Sequence, residues 1–326
     1  MKILAIRLAR LGDVILLLPA LSSLKQASPG SHLTFLTGHR CAPIAEMCPA
    51  IDKVISVDRV AMRDGPAWKA IRGMYGLVRS IRREHFDLVM DFHGFRETNL
   101  LTWLSGAPIR TGMKRYLEPH LGFCFNKAPV PEDKTLHVAE MFQRVVQVPH
   151  FAGNAIAIPE DLKQWAAGAV PEGPWLALYV DAPVPERIWP PEKFAAVADF
   201  VIANFGASVI VISGKSGKDQ AEKLLAASRN PGKLKIFTDV TIPQMTALIA
   251  SAQLLVSNDT GPMHLGPATG VRTLGLFSVG YPEHFRPNGP GGRFLRANPI
   301  ERIEVNEVID AVKEMWPIAS GRDLRY

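Results

Sequence analysis

Cysteine is scarce in this chain. Cys41, Cys48 and Cys124 are the three among 326 residues, and their spacing matches no metal-binding pair. Three thiols cannot all pair with one another, so a disulfide scaffold is excluded and reduced, cytosolic thiols are the simplest account. Long apolar runs are also missing. Val14-Ile15-Leu16-Leu17-Leu18, after Lys2, Arg7 and Arg10, mimics a signal peptide, yet Pro19 follows and the stretch never reaches the length of a membrane span. The expectation is mature, cytosolic sequence. No Gly-x-Gly-x-x-Gly follows a strand-like run, which leaves a Rossmann dehydrogenase without its fingerprint. Neither a Gly-x-Ser-x-Gly elbow nor a His-Glu-x-x-His helix is present. Val209-Ile210-Val211-Ile212-Ser213-Gly214-Lys215-Ser216 ends as a P-loop does, but Val209 stands where the first glycine belongs. Without that glycine the loop cannot wrap a triphosphate. Lys215 and Ser216 keep two readings, a nucleotide contact or a solvated loop.

What is present describes an ordinary soluble protein, with 47% hydrophobic and 21% charged residues. The length suits two domains of about 150 residues. Basic residues number 37 against 31 acidic, a net of +6. That balance suits a phosphorylated glycolipid, an anionic membrane or nucleic acid and does not choose among them. Strand-like runs at Lys2–Leu8, His32–Thr37, Lys53–Val57 and Leu88–Asp91 alternate with helical stretches such as Val14–Gln26 and Trp68–His85. The second half repeats the pattern. Its strands are Trp175–Val180, Ser208–Ser213, Lys235–Thr238, Leu254–Ser257 and Arg272–Phe277, with helices at Pro191–Phe205 and Lys218–Ser228. Such alternation means parallel sheets covered on both faces, with ligands at the C-terminal ends of the strands. Pro159, Pro171, Gly173 and Pro174 mark the change of domain within Ile158–Pro174.

Leu254–Asn258 runs into Asp259-Thr260-Gly261-Pro262-Met263-His264, where a strand meets a turn and a helix. Asp259 or Thr260 can cap that helix, Gly261 admits close backbone approach, and Pro262 suits the first helical position. The free N–H groups and the helix dipole then form an anion seat, with His264 one turn in. A well-capped structural turn is the plainer account. At Leu11-Gly12-Asp13-Val14, Gly12 allows a tight turn and Asp13 is either an N-cap or a general base; local chemistry alone favours the cap. Asp91-Phe92-His93-Gly94 ends a strand and reads as a polar loop or a substrate contact. Arg59, Arg63, Lys69, Arg72, Arg79, Arg82 and Arg83 gather positive charge, either as a solvated helix face or as a surface for anionic lipid or a phosphorylated acceptor.

Taken together these stretches resemble the heptosyltransferase family of glycosyltransferases, which extend the inner core of lipopolysaccharide. The likeness lies in Leu11-Gly12-Asp13-Val14 with Pro19 and Leu24, in Asp91-Phe92-His93-Gly94, and in Arg187-Ile188-Trp189-Pro190 with Phe194. It is closest at Asp259–Leu265 with Pro282 and Arg286-Pro287-Asn288-Gly289-Pro290. The resemblance implies a GT-B fold, two Rossmann-like doubly wound parallel-sheet domains facing across a cleft. Residues 1–160 would bind the acceptor and 161–326 the nucleotide-sugar. It implies an inverting, metal-independent transfer of heptose or a related sugar from an ADP-sugar to a lipopolysaccharide-core or other lipid-linked acceptor. No cofactor is expected beyond that donor, and no nucleic acid partner. The expected location is the cytoplasm, at the cytosolic face of the inner membrane with peripheral contact.

On the same footing Asp13 and Arg187 are the catalytic residues, with Asp13 as base and Arg187 steadying the leaving diphosphate. Asp259, Thr260, Gly261, His264, Lys215 and Ser216 are expected at the donor, with Thr260, Gly261 and His264 on the phosphates. Asp259 would repel a diphosphate and is assigned to sugar hydroxyls or to fixing the turn. Arg10, His93 and Arg96 are expected at the acceptor. The sequence departs from the family where Arg187 replaces a lysine, and where Asp181-Ala182-Pro183-Val184-Pro185 replaces a loop of small or hydroxyl residues. A nucleotide-sugar epimerase or hydrolase of the same shape, and a non-catalytic sugar-nucleotide binder, are the alternatives.

Overall fold

The computed structural model describes residues 1–58, 67–170 and 172–317. Arg59, Arg63, the side chain of Lys69, Pro171 and the extreme C-terminus lie outside the described residues. Contacts divide the chain into two units. Met1–Ala157 with Glu283–Phe285 forms the first, and Ile158–Pro282 with the chain from Arg286 forms the second. A single cut in the sequence has no way to express the three residues that group with the first unit.

The first unit is a parallel sheet of β1 (Lys2–Arg7), β2 (His32–Gly38), β3 (Lys53–Val57), β4 (Leu88–Asp91), β5 (Ile109–Lys114) and β6 (Val130–Pro131). Their order is β3-β2-β1-β4-β5-β6. The second is built from β7 (Trp175–Tyr179), β8 (Ser208–Ile212), β9 (Leu234–Phe237), β10 (Leu254–Asn258), β11 (Arg272–Phe277) and β12 (Gly292–Arg296). Its order, β12-β11-β10-β7-β8-β9, repeats the same pattern. Central strands such as β1 and β7 are buried on both faces, which is why they read as continuous apolar runs. β5, β6 and β12 gave no such signal. Ile-Arg-Thr-Gly-Met-Lys and Gly-Arg-Phe-Leu-Arg lie toward sheet edges and are only partly covered.

In the first unit the helices are α1 (Leu11–Ala27), α2 (Ala42–Glu46), α3 (Ala67–Glu84), α4 (Arg96–Leu104) and α5 (Val138–Val146). The run that mimics a signal peptide lies inside α1, where Val14 to Leu18 are all buried and the helix packs against α5. A helix apolar all round is what a two-sided burial demands. Helix α3 instead buries one face, setting Met74, Leu77, Val78 and Ile81 against Leu4, Ile6 and Val89 of the sheet. In the second unit Leu176, Leu178, Val209, Val211, Leu254 and Val256 form the core beneath α7 (Pro191–Phe205), which follows α6 (Glu160–Ala169).

Candidate functional site

Each sheet reverses its strand order once, between β1 and β4 in the first unit and between β7 and β10 in the second. Ligands of open α/β sheets bind outside the C-terminal strand ends at such a point. In the first unit β1 delivers Arg7 there, and the backbone turns over Leu8–Arg10 before α1 begins at Leu11. Two expectations change. Gly12 lies inside the helix and is not among the glycines with positive φ, so the turn precedes it. Nor does Asp13 cap: the cap position is Arg10, with extended backbone and no side-chain capping bond. Asp13 is the third helical residue and its Oδ1 accepts from Arg7 Nη2 at 2.7 Å. Arg7 in turn donates through Nη1 to Phe92 O at 2.6 Å and lies 4.9 Å over the Phe142 ring. Burial draws the Arg7 guanidinium below its ordinary value, against the opposing pull of Asp13.

Beside it, Asp91 is committed to the fold. Its Oδ1 accepts from the N–H groups of His93 (2.9 Å) and Gly94 (3.0 Å), and its Oδ2 from Asn99 Nδ2 at 2.9 Å. Gly94 has φ +73°, and a Cβ there would sit 2.8 Å from Met113 O, so only glycine completes the turn. Burial pushes the Asp91 carboxyl up. This is the polar-loop reading of Asp91-Phe92-His93-Gly94. His93 is buried with its ring 4.6 Å from Phe95, which leaves little surface for an acceptor, while Arg10 and Arg96 are exposed.

Sequence reasoning missed the residues that complete this side. A recess of about 110 Å³ is lined by Arg7, Asp13, Arg115, Glu132, Lys134 and His284 over an apolar floor that includes Phe142. Arg115 Nε donates to His93 O at 2.7 Å, and its guanidinium lies 4.4 Å from the Phe95 ring. For Glu132, burial raises the carboxyl but Lys134, the Tyr116 N–H and Arg115 outweigh it and hold it below the usual range. His284 Nδ1 lies 2.6 Å from Leu136 O; a carbonyl only accepts, so Nδ1 carries the proton. Arg115 directly follows β5, and a basic residue at a strand end is the signal that would have found it, had the strand been legible.

In the second unit Asn258, the last residue of β10, ties the loops together. Its Nδ2 donates to Val180 O at 2.9 Å and its Oδ1 accepts from the Trp189 N–H at 3.1 Å. Trp189 is fully buried, donates Nε1 to Ile303 O at 3.0 Å and meets Phe194 edge-on at 4.9 Å. That anchor brings Arg187, two residues earlier, to Asp259: Nη1 to Oδ2 is 3.2 Å, with Asp259 O at 3.4 Å. Burial pushes the Asp259 carboxyl up, and Arg187 partly offsets it. A Cβ on Gly280 would come within 1.9 Å of Asp259 Oδ2, so the absent side chain makes room for the carboxylate. The Asp259 side chain is held by Arg187, a partner that neither expected role named.

The expected cap at Asp259 or Thr260 is not made. Gly261–His264 is a 3₁₀ turn, and a single α turn follows at Leu265–Ala268; Thr260 occupies the cap position without a side-chain bond. Asp259 is held by Arg187, and the helix is closed off at Gly270, whose φ of +83° lets the Val271 N–H return to Gly266 O at 2.8 Å. One turn has little macrodipole, so an anion here would depend on Arg187 and local N–H groups. Thr260 and Gly261 are half-buried and His264 is buried. Ser216 Oγ donates to Asp181 Oδ2 at 2.9 Å, and Lys215 lies exposed 3.2 Å from Asp239. The Gly-Lys-Ser loop and the Asp181–Pro185 loop, read separately in the sequence, thus meet at Asp181. Among the described residues no group of three or more His, Cys, Asp or Glu is arranged to hold a metal, and no helix is long and apolar enough to cross a membrane.

Residues 74–307 match the family model "Glycosyltransferase family 9 (heptosyltransferase)". The chain is similar to lipopolysaccharide heptosyltransferase 1 of Pseudomonas aeruginosa, at 26% identity over 89% of this chain and 80% of that protein. Among solved structures it is similar to a family 9 glycosyl transferase from Veillonella parvula, with TM-score 0.84, 26% identity and 96% of each chain covered. An E. coli heptosyltransferase solved with ADP-2-deoxy-2-fluoro heptose shares the fold, with TM-score 0.80 at 20% identity over 96% of this chain and 99% of that one. The two Rossmann-like sheets are thus those of the GT-B fold.

Proposed function

The chain belongs to glycosyltransferase family 9 and is a glycosyltransferase, and from that premise we propose an inverting, metal-independent transfer of heptose, or a related sugar, from an ADP-sugar to a lipopolysaccharide-core or other lipid-linked acceptor. The first unit binds the acceptor and the second the nucleotide-sugar, with the reaction at the cytosolic face of the inner membrane. The observation that carries this reading is a pair of arginine–aspartate contacts with opposite burial. Arg7 is 3% exposed and Asp13 27%, whereas Arg187 is 31% exposed and Asp259 7%. One pair offers a carboxylate and the other a cation.

A carboxylate held on a buried arginine is suited to take the proton of an acceptor hydroxyl as that oxygen attacks the anomeric carbon. The bond from that carbon to the diphosphate breaks with inversion, and the leaving ADP carries away the electron pair. Arg187 opposes the charge that gathers on the diphosphate, with Thr260 and Gly261 as further contacts. Arg10 and Arg96 are the proposed acceptor contacts, joined by Arg115 and Lys134, whose charges suit a phosphorylated or carboxylated sugar. His93, His264, Lys215 and Ser216 remain proposed contacts, the two histidines through backbone or ring edge because both are buried.

A thermal-shift comparison of ADP-, GDP- and UDP-sugars tests the donor. Stabilisation by ADP-ligands is expected, and stabilisation by UDP- but not ADP-ligands overturns it. Turnover of the nucleotide-sugar alone into an isomer, as fast as transfer, would instead make the chain an epimerase.

A further inference from the structure

Helix α3 has a second face that the sheet does not use. Trp68, Ile71 and Tyr75 are each more than half exposed on it, and Arg72, Arg79, Arg82 and Arg83 are exposed as well. At 3.6 residues per turn Trp68, Tyr75, Arg79 and Arg82 fall along one stripe, flanked by Ile71, Arg72 and Arg83, opposite Leu77 on the sheet side. The acid of this helix is Glu84, at its very end, and it is paired with Lys53 at 2.6 Å. Glu84 O also accepts from Lys2 Nζ at 3.0 Å. Lys2 and Lys53 begin β1 and β3, so α3 ends at the N-terminal edge of the sheet. Its 18 residues, rising about 1.5 Å each, carry Trp68 to the other edge, where Arg7 and Asp13 stand.

The surface continues onto α4, which covers the same sheet face through Leu101. Leu100 and Trp103 are exposed on its outer side, with the Phe123 ring 5.9 Å from Trp103. Arg82 Nε lies 4.0 Å from where a Cβ of Gly106, just beyond α4, would be, so the two outer faces adjoin. Soluble proteins seldom expose aromatic and aliphatic side chains in such a group without a use for them.

We propose that the outer face of α3 and α4 docks on an anionic lipid bilayer. The aromatic and aliphatic side chains enter the headgroup boundary, and the arginines meet anionic headgroups. A second copy of the chain fits poorly, because a two-fold contact would set arginine row against arginine row. A lipid-free phosphorylated oligosaccharide would use the arginines but leave Trp68, Ile71 and Tyr75 without a purpose. The proposal rests on the lipid-linked acceptor only for its biological setting, since vesicle binding is measured without donor or acceptor.

The test is flotation of the full chain with phosphatidylcholine vesicles, with and without roughly a third phosphatidylglycerol. Partition onto the anionic vesicles is expected. Arg79→Gln with Arg83→Gln should reduce it about tenfold or more, and Ile71→Ser with Tyr75→Ser by at least about tenfold. Both double variants should melt as the parent does and keep its turnover on a lipid-free acceptor. Absence of vesicle binding by the parent overturns the proposal, as does equal binding by the parent and both variants. Two further results overturn it. One is an Ile71/Tyr75 variant that changes only the oligomeric mass in light scattering; the other is an arginine variant that loses only affinity for lipid-free acceptor. Failure of the chain to transfer from any ADP-sugar would sink the proposed function and leave the vesicle result standing.

Discussion

The two units carry the same kind of ion pair at the same topological position, and differ in which partner is buried. At Arg7–Asp13 the guanidinium is enclosed, held by the Phe92 carbonyl and the Phe142 ring, and the carboxylate faces outward. At Arg187–Asp259 the carboxylate is enclosed beside Gly280 and the guanidinium faces outward. The buried member is an oriented counter-charge; the exposed one is available to a ligand. Breaking a buried pair leaves an uncompensated charge, so each enclosed partner also fixes its site structurally. Nearly identical chemistry thus leaves a carboxylate the more accessible partner in one unit and a guanidinium in the other.

The largest effect should come from removing the exposed carboxylate. Asp13→Asn keeps the shape but not the base, and turnover is expected to fall by ~10²–10⁴. Affinity for ADP, measured by calorimetry, should hardly move. Near-normal turnover would end the assignment. Next, Arg187→Ala should weaken ADP binding by about tenfold to a hundredfold, the scale of a charge-assisted hydrogen bond, and unchanged affinity would remove Arg187 from the diphosphate. Gly280→Ala sharpens the same point from behind. Its Cβ displaces Asp259 and with it Arg187, so weaker ADP binding should accompany a lower melting temperature, with Asp13 untouched.

A smaller effect concerns pH. Burial raises the Asp259 carboxyl in the folded chain, so between the unfolded and folded values the native state holds more protons. The stability this group contributes is complete below its unfolded value and is lost as pH rises through the folded one. Asp259→Asn lacks that loss. Its stability relative to the parent, from urea unfolding at about pH 4 and about pH 7, should therefore improve toward neutral pH. A difference that shrinks instead would mean that Arg187 outweighs desolvation. Smallest of all, Ser216→Ala removes the bond to Asp181 and should cost about 1 kcal/mol of stability. A much larger loss of donor affinity would make Ser216 a ligand contact in its own right.

Much of the fold was legible, because central strands buried on both faces must be apolar throughout, and the helices between them show either a 3.6-residue stripe, as α3 does, or an apolar run like that of α1. β12 escaped because an edge position relaxes that demand, and β5 because, next to the two-residue edge strand β6, it is only partly covered. In the site, Asp13 and Asp259 stood out as charges in turns after strands, whereas Arg187 was reached only through the resemblance of Arg187-Ile188-Trp189-Pro190 to the family's segment. Asn258 and Arg115 did not, since an asparagine closing an apolar strand and an arginine after an unrecognised one look like any others.

What the sequence by itself determined, then, is the alternation that dictates two parallel sheets and the short polar stretches that must lie at their C-terminal ends. Local rules then misassigned those stretches. Asp13 and Asp259 both read as helix caps, the commonest use of an aspartate in such a turn. Only the tertiary structure set Arg7 under one and Arg187 over the other, through the links of Arg7 to Phe92 and Phe142 and of Trp189 to Asn258, each between residues far apart in sequence. An arginine 72 residues away at Asp259 leaves no local trace, and burial, which decides which charge a ligand can reach, is a property of the packed chain alone.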